Sequence, residues 1–113
     1  MSKAKLFVCI IEKEEKLEEV LEGLVEIGVT GASIVDVRGM FEYLADEIPI
    51  FAGFRNLIED KNPTNKMIIS VMKDDKTVKE AMNTIEEIYG SFETPNSGIM
   101  FSIDLTDIRG LKI

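Results

Sequence analysis

The run Thr94-Pro95-Asn96-Ser97-Gly98 comes closest to a ligand cradle in this chain. Small residues and glycine let successive backbone N–H groups converge on an anion. The same residues also make an ordinary tight turn, and spacing alone favours the turn. Arg55, one of three arginines, offers either an anion contact or a surface salt bridge. Cys9 is the single cysteine and stands among Phe7, Val8, Ile10 and Ile11 with no basic neighbour, the setting of a buried, inert thiol. Asp36 and Asp104 fall within apolar runs, where inward carboxylates are costly, so each is expected to pair with Arg38 or Arg109 or to mark a solvated edge. Histidine is absent, which removes the commonest neutral-pH general base and the commonest zinc ligand. With no nucleophile–base pair in view, no catalytic residue and no metal ligand is assigned.

Composition narrows the partners. Thirteen basic residues against 21 acidic ones give a net charge of −8, which opposes binding to nucleic-acid phosphates and to anionic membrane surfaces. One cysteine excludes an intrachain disulfide and a multi-thiolate metal site. Lys3 and Lys5 precede an apolar run at 6–11 that Glu12 cuts off, too short for a signal core or a membrane span. The expectation is a cytoplasmic protein without membrane insertion. Its 113 residues, 45% of them apolar, suit a single domain over 1–113 with a real core.

The elements that must position these residues follow from periodicity. Leu6-Phe7-Val8-Cys9-Ile10-Ile11 is a strand-length apolar run. Over 13–27, Leu17, Val20, Leu21, Leu24 and Val25 form one helical stripe, with Glu18, Glu19, Glu22 and Glu26 opposite. Gly28 to Gly31 marks the helix exit, a strand follows over 32–38, and Gly39 ends it. The plan then repeats. Met67-Ile68-Ile69-Ser70-Val71-Met72 is a strand, 75–89 a helix with Val78, Ala81, Met82, Ile85, Ile88 and Tyr89 on its stripe, and 99–105 the last strand. This β-α-β, long connection, β-α-β order predicts an α+β, ferredoxin-like sandwich, a four-stranded antiparallel sheet with two helices on one face.

Two helices cover one sheet face only, yet the strands at 6–11 and 67–72 are apolar on both. The uncovered face predicts an oligomer, or else a third layer from the connection. That connection, 41–63, is long and carries Phe41, Tyr43, Leu44, Ile48, Ile50, Phe51, Phe54, Leu57 and Ile58. It is expected to begin as an irregular segment, with a short helix at 50–58 after Pro49. It serves either as a packing element or as a partner-binding loop using Ile50, Phe51, Phe54 and Arg55.

Several stretches resemble the nitrogen regulatory protein PII family. Leu17-Glu18-Glu19-Val20-Leu21-Glu22-Gly23-Leu24 through Gly28-Val29-Thr30-Gly31 looks like that family's first helix and its exit, and the strand up to Gly39 continues the match. Lys66-Met67-Ile68-Ile69-Ser70-Val71 is similar to the third strand, and Ser97-Gly98-Ile99-Met100-Phe101 to the fourth. The resemblance implies a homotrimer whose inter-subunit clefts bind adenine nucleotides and whose long loops touch target proteins, a membrane protein among the conceivable targets. It further implies ligand contacts at Ser33, Gly39, Asn96, Ser97, Gly98, Arg109 and Lys112. Departures are specific. Asn96 and Ser97 replace the first two residues of the Gly-Asp-Gly-Lys phosphate motif, and Ile99 stands where its lysine belongs. Arg109 and Lys112 stand for paired arginines, Phe41 for a loop glycine, and Thr64 lies near the position of an oxoglutarate-binding lysine. The Tyr-Arg-Gly-x-x-Tyr modification motif is missing. Each lost charge-assisted phosphate contact is worth on the order of a few kcal/mol. The implied function is non-enzymatic: a signalling protein that binds a small effector, an adenine nucleotide first among candidates, and acts on a partner through 41–63. The alternative is a trimeric metal-responsive protein of the similar CutA type, which the lack of histidine and the single cysteine weaken.

Overall fold

The first helix ends as its glycine demands. The Gly28 N–H bonds to the Val25 carbonyl at 3.0 Å, and the Val29 N–H to the Leu24 carbonyl at 2.9 Å. With Gly28 at φ 92°, this is a Schellman closure, and Leu24 and Val29 meet in the core beneath it. The computed structural model describes residues 4–50, 65–94 and 97–111. In chain order these form β1 (Lys5–Ile11), a 3-10 turn (Glu14–Lys16), α1 (Leu17–Glu26), β2 (Ser33–Val37), α2 (Met40–Glu47), β3 (Asn65–Met72), α3 (Asp75–Tyr89) and β4 (Gly98–Asp104).

The four strands make one sheet in the order β2-β3-β1-β4, every neighbouring pair antiparallel. This is the expected ferredoxin-like sandwich. On one face Phe7, Cys9, Ile11, Ile68 and Met72 meet Val20 and Leu24 of α1 and Val78, Ala81, Ile85 and Tyr89 of α3. The stripe read for α3 is its buried side. That of α1 holds at Val20 and Leu24 but not at Val25, which is 59% exposed. Gly23 is buried in its stead, because the helix face turns toward α3. Asp74 caps α3, its carboxylate accepting the Thr77 N–H at 2.8 Å. The Thr77 hydroxyl and then that backbone bond hold the Asp74 carboxyl below its ordinary range.

Alternation and register define the other face. Leu6, Val8 and Ile10 stand beside Met67, Ile69 and Val71 on one side and Ile99, Phe101 and Ile103 on the other. Ser33 and Val35 extend the row across β2. Ile99 is 52% exposed, Ile103 50% and Val35 39%. No described element covers these side chains.

Two expectations need correction. The connection does not begin as irregular chain, because Met40–Glu47 is the helix α2. Phe41, Leu44, Ala45 and Ile48 have helical spacing, and Ala45 is buried. Of the two alternatives for the carboxylates within strands, the solvated edge holds, since Asp36 on β2 and Asp104 on β4 stand on the edge strands with side chains 64% and 87% exposed. Pairing with arginine does not, because lysines are their partners. Asp36 faces Lys66 across the β2–β3 ladder, and their ion pair closes at 2.5 Å. Asp104 faces Lys5 across β1–β4 and pairs with it. Directly opposed opposite charges satisfy each other locally. Arg38 turns instead to α2. The expected helix at 50–58 lies outside the described residues apart from Ile50, which is 83% exposed.

Candidate functional site

The turn before β4 is fastened from within. The Tyr89 hydroxyl, at the end of α3, accepts the Glu12 and Lys13 backbone N–H groups at 3.1 Å each. It donates to the Ser97 carbonyl. That carbonyl also accepts the Glu12 N–H at 3.4 Å. Ser97 and Tyr89 are both buried. The Tyr89 ring packs on Phe92 with centroids 4.9 Å apart, and the Lys13 ammonium lies 5.4 Å from its centre. Burial is the main cause that holds the Tyr89 phenol above its ordinary range. Gly98 follows at φ 134°, backed directly onto the β1 main chain.

Ser33 lies on the far side of the sheet. It opens β2, one edge strand, while Gly98 opens β4, the other. Three strand spacings separate those edges, roughly 14 Å, so no single ligand group reaches both within one protomer. Ser33 is exposed and shares the open face with Val35 and Phe101.

Gly39 is the N-cap of α2, in extended conformation at φ −72°. Arg38, just before it, reaches Asp46 at 2.8 Å and Glu47 at 3.3 Å. Its guanidinium lies 5.3 Å from the centre of the Tyr43 ring. Hydrogen bonds to Glu47 and then Asp46 raise its already high pKa. The register places this end of β2 on the same end of the sheet as Gly98, because Val37 lies opposite Asn65 and Gly98 opposite Ile11, which faces Lys66.

Arg109 is exposed in the segment after β4, beyond the opposite end of that strand. Asn96, Lys112, Phe51, Phe54 and Arg55 lie outside the described residues. One protomer therefore brings Ser97 and Gly98 together, sets Gly39 at the same sheet end, and leaves Ser33 and Arg109 apart from both.

The cations near this sheet end are engaged. Lys66 binds both Asp36 and Glu14, the latter at 3.2 Å, and these contacts raise its pKa. Ile99 projects from the open face, where a lysine would have carried charge. Burial pushes the Cys9 thiol up to about 12, so it stays protonated and inert at neutral pH. Among the described residues, no three His, Cys, Asp or Glu side chains group to hold a metal ion, and no helix is long and apolar enough to cross a membrane. What the described residues offer here is a held Ser97–Gly98 peptide and no reactive side chain beside it.

Two structural features are hard to read from the sequence. Tyr89 reads as one more member of an apolar stripe, and two of its hydroxyl partners, Glu12 and Lys13, are remote in the chain. The Arg38 clamp depends on α2, whose spacing was the available signal.

Comparison with known proteins closes the question of kinship. The family model described as nitrogen regulatory protein P-II matches residues 5–112. No curated protein matches. Among solved structures, Arabidopsis thaliana PII bound to citrate superposes with a TM-score of 0.64 at 24% identity, covering 93% of this chain and 79% of that one. A B. subtilis GlnK–ATP complex superposes at 0.60 with 20% identity, covering 93% and 84%. At such identities these structures establish the shared fold, while the family match runs through both βαβ halves and the connection between them. The chain belongs to the nitrogen regulatory protein P-II family.

Proposed function

We propose that this protein is a regulatory homotrimer that binds an anionic small effector between subunits and acts on a target protein through 41–63. One observation carries the reading. Ser33 and Gly98 occupy opposite edges of a sheet whose second face is open and apolar. A second copy laid on that face covers Val35, Ile99 and Ile103 and brings a β2 edge toward a β4 edge. The count of three comes from the family. Adenine nucleotides are the first effector candidates, since the B. subtilis relative is a complex with ATP. A carboxylate effector is the next, since the Arabidopsis relative carries citrate. Ser33, Gly39, Asn96, Ser97, Gly98, Arg109 and Lys112 are the proposed ligand set, drawn from more than one subunit. Affinity for ATP is lower than in relatives that keep the phosphate-binding lysine, because Ile99 supplies no charge.

The chain then acts as one cytoplasmic domain over 1–113, without catalysis, nucleic-acid binding or membrane insertion. Its output runs through the Arg38–α2 clamp, which adjoins Gly39 and leads into Ile50, Phe51, Phe54 and Arg55. Calorimetry with ATP, ATP–magnesium and citrate, run beside light scattering, tests the proposal. Saturable binding by a trimer is the expected result. A monomer, or a trimer that binds none of the three, refutes it.

A further inference from the structure

The Ser97–Gly98 peptide has one carbonyl and two inward donors that hold it, the Tyr89 hydroxyl and the Glu12 N–H. No cis peptide occurs among the described residues. A trans peptide directs its N–H opposite to its carbonyl. With the Ser97 carbonyl turned toward β1 and α3, the Gly98 N–H points outward along the free edge of β4, a strand whose neighbour in the sheet is β1 alone among the described strands. We infer that Tyr89 is a positioning residue: its hydroxyl fixes the Ser97–Gly98 peptide so that the Gly98 N–H is presented to an oxyanion of the effector. The inference rests on the effector-binding reading above and names the group that does the binding. It gives the turn a way to engage phosphate or carboxylate without the lysine that Ile99 replaces, because a donor already aimed needs no reorganisation on binding. Tyr89 can hold this geometry because it is 5% exposed, its ring is wedged against Phe92, and the Glu12 and Lys13 N–H groups occupy the acceptor side of its hydroxyl.

The test follows backbone amide signals of the full ¹⁵N-labelled chain during titration with ATP, inorganic pyrophosphate and citrate. The Gly98 amide of the wild type is expected to shift with at least one of them, and the three arms separate nucleotide, bare phosphate and carboxylate sources. Tyr89→Phe removes the hydroxyl alone. It is expected to weaken that titration by about tenfold, which corresponds to about 1.4 kcal/mol, and to speed solvent exchange of the Lys13 amide. Ile85→Val trims the core face of the same helix as a stability-matched control, and it is expected to keep wild-type affinity. Equal losses in the two variants overturn the inference, as do unchanged Gly98 and Lys13 signals in Tyr89→Phe. A Gly98 amide unmoved by all three probes also overturns it, even where calorimetry finds ATP bound elsewhere. A Gly98 amide that shifts with pyrophosphate but not with ATP supports the inference while defeating the nucleotide reading.

Discussion

Gly98 lies so close to Ile10 that a Cβ at position 98 would sit 2.0 Å from the Ile10 carbonyl oxygen. Main chain cannot yield as the tip of a flexible side chain does, and a φ of 134° is a second obstacle to any L side chain. Gly98→Ala is expected to detach the first β4 pair from β1 at a cost of roughly 2–4 kcal/mol. The melting temperature should fall by roughly 10 °C or more. A variant that melts like the wild type would mean a different β1–β4 register.

The uncovered sheet face makes a prediction about mass. Phe101 stands at its centre beside Val8, with Ile99 and Ile103 two residues to either side. Phe101→Glu sets an unpaired charge into any interface built there. The wild type should scatter light as three times its 12.7 kDa chain mass, and Phe101→Glu as a single chain that keeps its helical circular dichroism. A wild-type monomer at micromolar concentration would remove the argument that this face is an interface.

Most of the fold was legible because its signals are local. The stripes of α1 and α3 repeat at helical spacing, Gly28 announces its own Schellman closure, and the strands are contiguous apolar runs. What was illegible is non-local. Strand register decides that Asp36 meets Lys66 and Asp104 meets Lys5, and no residue within either strand encodes its partner across the ladder. The site shares this limit. Gly98 could be read as a turn glycine, but the grip on Ser97 joins a tyrosine eight residues before it on α3 to the β1 exit, a remote stretch that only folding brings there. The start of α2 is a different case, since Phe41, Leu44, Ala45 and Ile48 carry its helical spacing in the sequence itself.

Alkaline pH should undo the fold by a predictable route. Burial raises the Cys9 thiol from 9.0 to about 12 and is the largest influence raising Tyr89. Hydrogen bonds to Asp104 and Asp36 raise Lys5 and Lys66. Every one of these groups holds its proton more tightly when folded. Their stabilisation is complete below the ordinary values and is lost as pH climbs through the folded ones. For Cys9 that window runs from about pH 9 to about pH 12. Urea midpoints should hold level up to its lower bound and decline above it. A thiol reagent at pH 8 should label the unfolded chain and leave the native protein unlabelled; rapid native labelling would contradict the buried placement of Cys9.

The Arg38 clamp is expected to control α2. Its two ion pairs to Asp46 and Glu47 span the last turn of the helix, and the Tyr43 ring lies against the same guanidinium. Arg38→Ala should speed hydrogen exchange across 40–47 while leaving α1 and α3 at wild-type rates. Arg38→Lys should restore little, since a point charge cannot bridge two carboxylates as a planar fork does. Unchanged exchange in Arg38→Ala would show that α2 is held by its own apolar side and not by the clamp.

Ile99→Lys asks what the missing charge is worth. Residue 99 lies one position past the turn glycine and is 52% exposed, so a lysine there can run its methylenes along Ile10 and extend its ammonium past the strand edge. If the Gly98 turn receives phosphate, that ammonium adds a charge-assisted contact where the wild type has a neutral N–H alone. Affinity for ATP should rise by roughly tenfold or more. The gain should shrink as salt is added, because a partly exposed ion pair is screened. Titrations at low and high ionic strength separate this from better packing, which salt would leave untouched. The same preparation must keep its assembled mass, because residue 99 lies in the apolar row and a lysine whose ammonium stayed within that row would break the oligomer. A lysine variant with unchanged mass and unchanged affinity would place the phosphate subsite elsewhere in the protein.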